Sequence, residues 1–146
     1  MKLKKTNKQE LRIAFDGFAA SGKSLGAKLI SKKYNLKLLN SGLLYRYAAF
    51  LIIKNRPKNK IFFLKKKFDT LKYNYLYTLN LHSEKISNYS SIIAKQKKIR
   101  LILKDYQKKF AKKYKRIAIE GRDISTKILN KNPRYDIAFF FKCNIN

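Results

Sequence analysis

The sequence predicts an α/β fold, one domain in which a central parallel sheet is flanked by helices, and three observations carry that prediction. A short apolar run, Leu11, Ile13, Ala14 and Phe15, leads into Gly17-Phe18-Ala19-Ala20-Ser21-Gly22-Lys23-Ser24, and helical spacing follows at Leu25, Ala27, Leu29 and Ile30. Strand, glycine-bounded loop and helix in that order form a recurring unit of parallel sheets. Two more strand-like segments, Leu36–Leu39 and Arg116–Glu120, each run into a glycine-containing polar turn, Asn40-Ser41-Gly42 and Gly121-Arg122-Asp123. Finally, 45% apolar residues over 146 positions suffice for a single core.

The first loop is the most informative element. Gly17, Gly22, Lys23 and Ser24 fit a glycine, any four residues, then glycine, lysine and a hydroxyl residue. The glycines let successive N–H groups point inward at a phosphate chain, and the following helix adds its positive end. The binding segment is expected to comprise Gly17, Phe18, Ala19, Ala20, Ser21, Gly22, Lys23, Ser24 and Leu25. Lys23 would reach the outer phosphates, and the Ser24 hydroxyl would ligate a bridging Mg²⁺. The bland alternative is a glycine turn that binds nothing.

The charge is lopsided: 36 Lys and Arg against 8 Asp and Glu give +28. One reading is an electrostatic attractor for nucleic acid or nucleotides, and the other is compositional drift. Drift is favoured because lysines occur in every segment and do not gather in one patch. The single Cys143 rules out a disulfide framework and no Cys/His pattern suggests zinc, which fits a reducing cytoplasm. Residues 1–10 read as a flexible basic tail, no apolar run approaches membrane-spanning length, and His82 reads as a surface or packing residue.

Taking the remaining elements in order, Leu36–Leu39 is a short strand, with no room for a helix before Asn40. Gly42 opens a helix on which Leu43, Leu44, Tyr47, Ala48, Leu51 and Ile52 recur at three and four, ending before Asn55-Arg56-Pro57. Arg46 lies one turn in, near the mouth of the phosphate loop if the first two strands are neighbours. Lys58–Phe68 reads as a short helix. Leu71, Tyr73, Tyr75, Tyr77, Leu79 and Leu81 fall on every second residue, which predicts a strand or bent hairpin with a half-buried tyrosine face, the rival being a base-stacking surface. Ser83 caps a helix carrying Ile86, Tyr89, Ile92 and Ile93, and another helix runs from about Lys98 to Lys113. Arg116–Glu120 is a strand. The apolar run Ile137–Phe141 predicts a further strand, central and covered on both faces.

Three separated motifs, Gly17–Ser24, Asn40-Ser41-Gly42-Leu43-Leu44-Tyr45-Arg46 and Glu120-Gly121-Arg122-Asp123, together resemble those of bacterial cytidylate kinases, from about Leu11 to Cys143. The resemblance implies the P-loop nucleoside monophosphate kinase fold, with a small substrate-binding insertion at about 57–99, and transfer of the γ-phosphoryl of ATP, with Mg²⁺, to CMP or dCMP. It implies that Ser41, Arg46 and Arg122 hold the substrate phosphate and that Ser91, Arg100 and Asp123 read cytosine. The chemistry agrees. A carboxylate accepts from the N4 amino group, and N3 and O2 suit an arginine or hydroxyl. The acceptor phosphate is already ionised, so catalysis is alignment and charge neutralisation by Lys23, Arg46 and Arg122. Asp16 and Glu120, at strand ends beside the loop, would orient metal-bound water, the alternative for both being strand-end capping.

Three departures stand out: Asn40 where the family has aspartate, His82 where an arginine is common, and a shorter insertion around Tyr73–His82. Family members also continue past the fourth strand with an arginine-rich lid and a further strand. The expectation is therefore a C-terminally incomplete kinase domain whose Ile137–Phe141 becomes an apolar edge strand open to a partner that completes the sheet. The rival readings are a nucleotide-binding protein without turnover, a basic RNA-associated protein and a kinase for another small acceptor. No membrane partner and no specific nucleic acid are expected.

Overall fold

The computed structural model describes residues 9–143, so most of the basic tail expected over residues 1–10 lies outside the described residues. Two compact units emerge, one formed by the chain up to Leu39 together with the chain from Phe110 onward, the other by Asn40–Lys109.

The first unit holds the sheet. Strands β1 (Leu11–Gly17), β2 (Lys37–Asn40), β3 (Arg116–Gly121) and β4 (Ile137–Phe141) lie in the order β2-β3-β1-β4. β1 is parallel to both of its neighbours, in a register that sets Asp16 opposite Gly121 and Gly17 opposite Phe141. Phosphate-loop entry, the Gly-Arg-Asp turn and the end of β4 therefore meet at one edge of the sheet, where ligands of open parallel sheets collect. Ile13, Phe15, Ala27, Leu36 and Ala118 form the core, with Leu11, Ile30, Leu38 and Phe141 packed against it.

Helix α1 (Lys23–Tyr34) ends at Asn35, whose left-handed conformation closes the last turn. It turns a different face inward from the one its leucines suggest. Leu25 and Leu29 are 63% and 60% exposed, while Ala27 and Ser31 are buried. The reason is close approach: a Cβ on Gly26 would come within 2.7 Å of the Phe141 ring, so only small residues fit against β4.

Of the two expectations for β4, central from its apolar run and edge strand from the family resemblance, the second holds: β4 is an edge strand of the sheet among the described residues, with Ile137 44% and Phe140 56% exposed. Its two faces differ: Phe139 stacks on Phe15 at 5.4 Å between centroids, whereas Phe140 meets the exposed Phe18 of the loop edge-on at 6.1 Å.

The second unit is helical, with α2 (Ser41–Asn55), α3 (Lys60–Asp69), α4 (Glu84–Ile93) and α5 (Lys97–Lys113), the last continuing into the first unit. Asn40, Asn59 and Ser83 cap the first three, each side-chain oxygen accepting from a backbone N–H three residues on. Asn40 thus serves as a cap, its Oδ1 accepting from the Leu43 N–H at 3.1 Å.

The strand expected over 71–81 is absent. Tyr73–Thr78 forms a 3₁₀ helix in which Leu76 is buried and Tyr75 and Tyr77 are half exposed. The inward positions Tyr73, Leu76 and Leu79 repeat every third residue, the 3₁₀ period, so the two-residue alternation read from the sequence coincided with a different burial pattern. The tyrosines form neither a sheet face nor a continuous stacking platform. Tyr75 packs edge-on against the buried Tyr47, which also meets Phe68 at 5.7 Å, and Phe68 in turn meets Tyr106.

Candidate functional site

The phosphate loop is built by backbone conformations its sequence permits. Gly22 is left-handed at φ 80°, and a Cβ there would meet only open space. Ala20 is also left-handed, at φ 58°, which a small side chain tolerates at modest cost. Alternating left-handed residues turn successive N–H groups into one concavity, a nest suited to an anion. Gly17 is required for a different reason: a Cβ would lie 2.6 Å from the Phe141 carbonyl oxygen, so the loop leaves β1 pressed against β4. The Ser21 hydroxyl donates to the Phe18 carbonyl at 2.8 Å and braces the loop from within.

Lys23, the first residue of α1, donates from Nζ to the Gly17 carbonyl at 3.0 Å, which holds the ammonium across the loop. Burial pulls its pKa below the ordinary lysine value. Glu120 opposes that shift, the Arg122 guanidinium adds to it, and Asp16 opposes it. A depressed ammonium beside a second cation gains when a polyanion arrives. Ser24 and Leu25 follow, both exposed on the first turn.

The two strand-end carboxylates take different roles. Asp16 is 4% exposed and fully engaged: Oδ1 accepts from the Ile124 N–H at 2.6 Å, and Oδ2 from the Ser125 N–H at 3.0 Å and the Ser125 hydroxyl. It caps the π-helical turn Ile124–Ile128 and fixes the Arg122-Asp123 segment just before it. Three of the carboxylate's acceptor sites are thus used in capping, which makes Asp16 a positioning residue for this turn. Asp16→Ala orphans buried donors and is expected to cost about 2–3 kcal/mol, measured by urea unfolding. Glu120, 3% exposed, is the carboxylate with the larger influence on Lys23, ahead of Asp16. Arg122 and Asp123 are exposed, and Asp123 pairs with Lys127 at 3.2 Å.

The second unit carries the other expected residues. Ser41, buried at the start of α2, donates to the Oε1 of Gln107, whose Nε2 donates to the Leu103 carbonyl at 3.2 Å. One turn on, Arg46 donates from Nη1 to the Leu81 carbonyl at 3.2 Å and to the Ser87 hydroxyl. Ser87 is shared, because its carbonyl also accepts from the Ser91 hydroxyl at 3.2 Å. Arg46, Ser87 and Ser91 therefore form one linked group, with Arg100 exposed on α5. Sequence reading named Ser41, Arg46 and Ser91 but gave no role to Ser87 or Gln107. Partners 41 and 66 residues away leave no local pattern.

Among the described residues no three His, Cys, Asp or Glu side chains gather as a metal cluster. A divalent ion here would lean on phosphate oxygens, water and the exposed Ser24 hydroxyl, the small donor set usual for Mg²⁺. No described helix is long and apolar enough to cross a membrane.

Comparison with known proteins agrees with this geometry. Residues 13–141 match the family model described as cytidylate kinase. The chain is 36% identical over 138 residues to the cytidylate kinase of Bartonella tribocorum, covering 91% of this chain and 61% of that protein. It is 34% identical over 143 residues to the cytidylate kinase of Mycoplasmopsis synoviae, covering 90% and 64%. The similarity to a bifunctional pantoate ligase/cytidylate kinase of Prochlorococcus marinus is 35% over 150 residues, or 29% of that longer protein. The chain thus spans less than two thirds of the length of each of these relatives. With the phosphate loop, the Ser41–Arg46 segment and the Gly-Arg-Asp turn all inside the matched span, this chain belongs to the cytidylate kinase family.

Proposed function

We propose that this protein transfers the γ-phosphoryl group of ATP to CMP or dCMP, giving CDP or dCDP and ADP, with Mg²⁺ on the phosphate chain and in the cytoplasm. The observation that carries the reading is Lys23, a half-buried ammonium drawn across the phosphate loop to the Gly17 carbonyl, in a chain that also holds Arg46 on two oxygen acceptors. The loop N–H groups and Lys23 hold the donor phosphates. Ser24 and, through water, Asp16 and Glu120 would hold Mg²⁺, which would neutralise charge on those phosphates. Ser41, Arg46 and Arg122 take the acceptor phosphate, while Ser91, Arg100 and Asp123 read cytosine. No general base is required, because the attacking phosphate oxygen is already ionised.

Asp123→Asn tests the base assignment. The carboxylate accepts from the cytosine amino group and faces uracil with a mismatched carbonyl. The variant is expected to lower the ratio of kcat/KM for CMP over UMP by about tenfold or more, and an unchanged ratio would remove Asp123 from base recognition.

A second reading is binding of both nucleotides without turnover. On either reading the open edge of β4, with Ile137, Phe139 and Phe140 exposed, would accept a further strand supplied by additional polypeptide. ADP formation separates the two.

A further inference from the structure

We propose that a groove in the helical unit binds the phosphate-and-base portion of a nucleotide at a place separate from the Ser41 and Arg46 groups. The groove has a volume of about 400 Å³ and is lined by Arg56, Lys60, Lys85 and Tyr89 over an apolar floor that includes Ile52 and Ile53. No carboxylate lines it, so its three positive charges are not neutralised within the groove. Lys60 donates from Nζ to the Tyr89 hydroxyl at 3.1 Å, with the ammonium 5.8 Å from the ring centroid, which fixes the ring as a wall. Arg56 is held at φ 44° as its N–H donates to the Ile52 carbonyl at 2.9 Å, so the backbone at the rim is set in advance.

The lining selects the ligand class. An apolar ligand would strip water from three cations and return nothing, and a bare anion would leave Tyr89, Ile52 and Ile53 uncovered. A phosphate attached to a planar ring uses both, the charge on the cations and the ring against tyrosine and isoleucine. Helix geometry separates this groove from the acceptor residues. Lys85 and Tyr89 are one turn apart on α4, Ser87 and Ser91 are one turn apart on another stripe, and at about 100° per residue Ser87 lies roughly 200° round from Lys85. The buried Ile86, Ser90 and Ile93 stand between the two stripes.

A free mononucleotide and a single strand of RNA present the same chemistry, and amide chemical shifts of the full chain distinguish them. Separate titrations with ATP, UMP and a short oligouridylate at physiological salt should give saturable shifts at residues 52–60 and 85–89. The double variant Lys60→Gln/Lys85→Gln should weaken groove binding by about tenfold while leaving ATP-induced shifts at 17–24 in place. Circular dichroism and chemical shifts of unlined residues verify that the variant is folded. Groove shifts with the mononucleotides would identify a free nucleotide as the ligand, and groove shifts with oligouridylate alone would identify single-stranded RNA. No groove shift with any probe, or shifts spread evenly over the lysine-rich surface and unchanged in the variant, would overturn the proposal.

Discussion

Replacing Lys23 with alanine is expected to abolish most phosphoryl transfer, lowering kcat by about 10²–10³-fold, as loss of a principal charge-stabilising donor does in a dry site. It should also weaken ATP binding in calorimetric titration while leaving CMP affinity close to its original value. The argument rests on position: the ammonium spans the loop to the Gly17 carbonyl and must exchange that single bond for phosphate oxygens. Stability should move the other way. Burial holds the Lys23 pKa below its value in the unfolded chain. Unfolding therefore takes up a proton in the interval between the two values, and stability rises with pH through that interval. Below it the cost of the charge is fully present. Lys23→Met is accordingly expected to raise the urea midpoint at pH 7, by a margin that narrows as the pH is raised towards 10. A midpoint that falls at pH 7 would contradict the stated electrostatics.

Loss of Arg46 is the second large effect. Its Nη1 is anchored on the Leu81 carbonyl and the Ser87 hydroxyl, which leaves the rest of the planar guanidinium to meet an acceptor phosphate. Arg46→Gln should reduce kcat/KM for CMP by about 10²-fold, carried mainly by CMP, with the KM for ATP little changed. Ser87→Ala tests positioning separately. It keeps the cation but frees one of its anchors, so the KM for CMP should rise severalfold at unchanged KM for ATP. Equal effects on both nucleotides would instead indicate a general loss of structure.

How much of this was legible depended on whether the signal was local. Gly17, Gly22, Lys23 and Ser24 announce a phosphate loop because the spacing itself encodes the turn, and the left-handed Gly22 confirms the geometry that spacing requires. Ser83 was equally local as a cap. Tertiary context decided the rest. Leu25 and Leu29 looked like a core stripe, but Phe141 crowds α1 so closely that Gly26 and Ala27 face the sheet. Leu71–Leu81 alternated like a strand with no neighbouring strand to pair with, and folded on a three-residue period around Leu76. Ile137–Phe141 was read as a strand, central from its apolar run and an edge from the family resemblance, and only the second matches the sheet, since an apolar run encodes hydrophobicity and not which side is covered. Asp16 was weighed evenly between metal and capping, and the three donors it accepts from, at residues 124 and 125, lie too far along the chain to leave a local pattern.

The central claim is that donor and acceptor groups on this one chain serve a single transfer specific for cytidine monophosphates. ADP release from ATP and Mg²⁺, measured with CMP, dCMP, UMP and AMP in parallel and repeated with Lys23→Ala, tests it most directly. The account predicts ADP release that depends on CMP or dCMP, is far lower with UMP and AMP, and disappears in the variant. ADP formation no faster with CMP than without it, or equally fast with AMP, would contradict it.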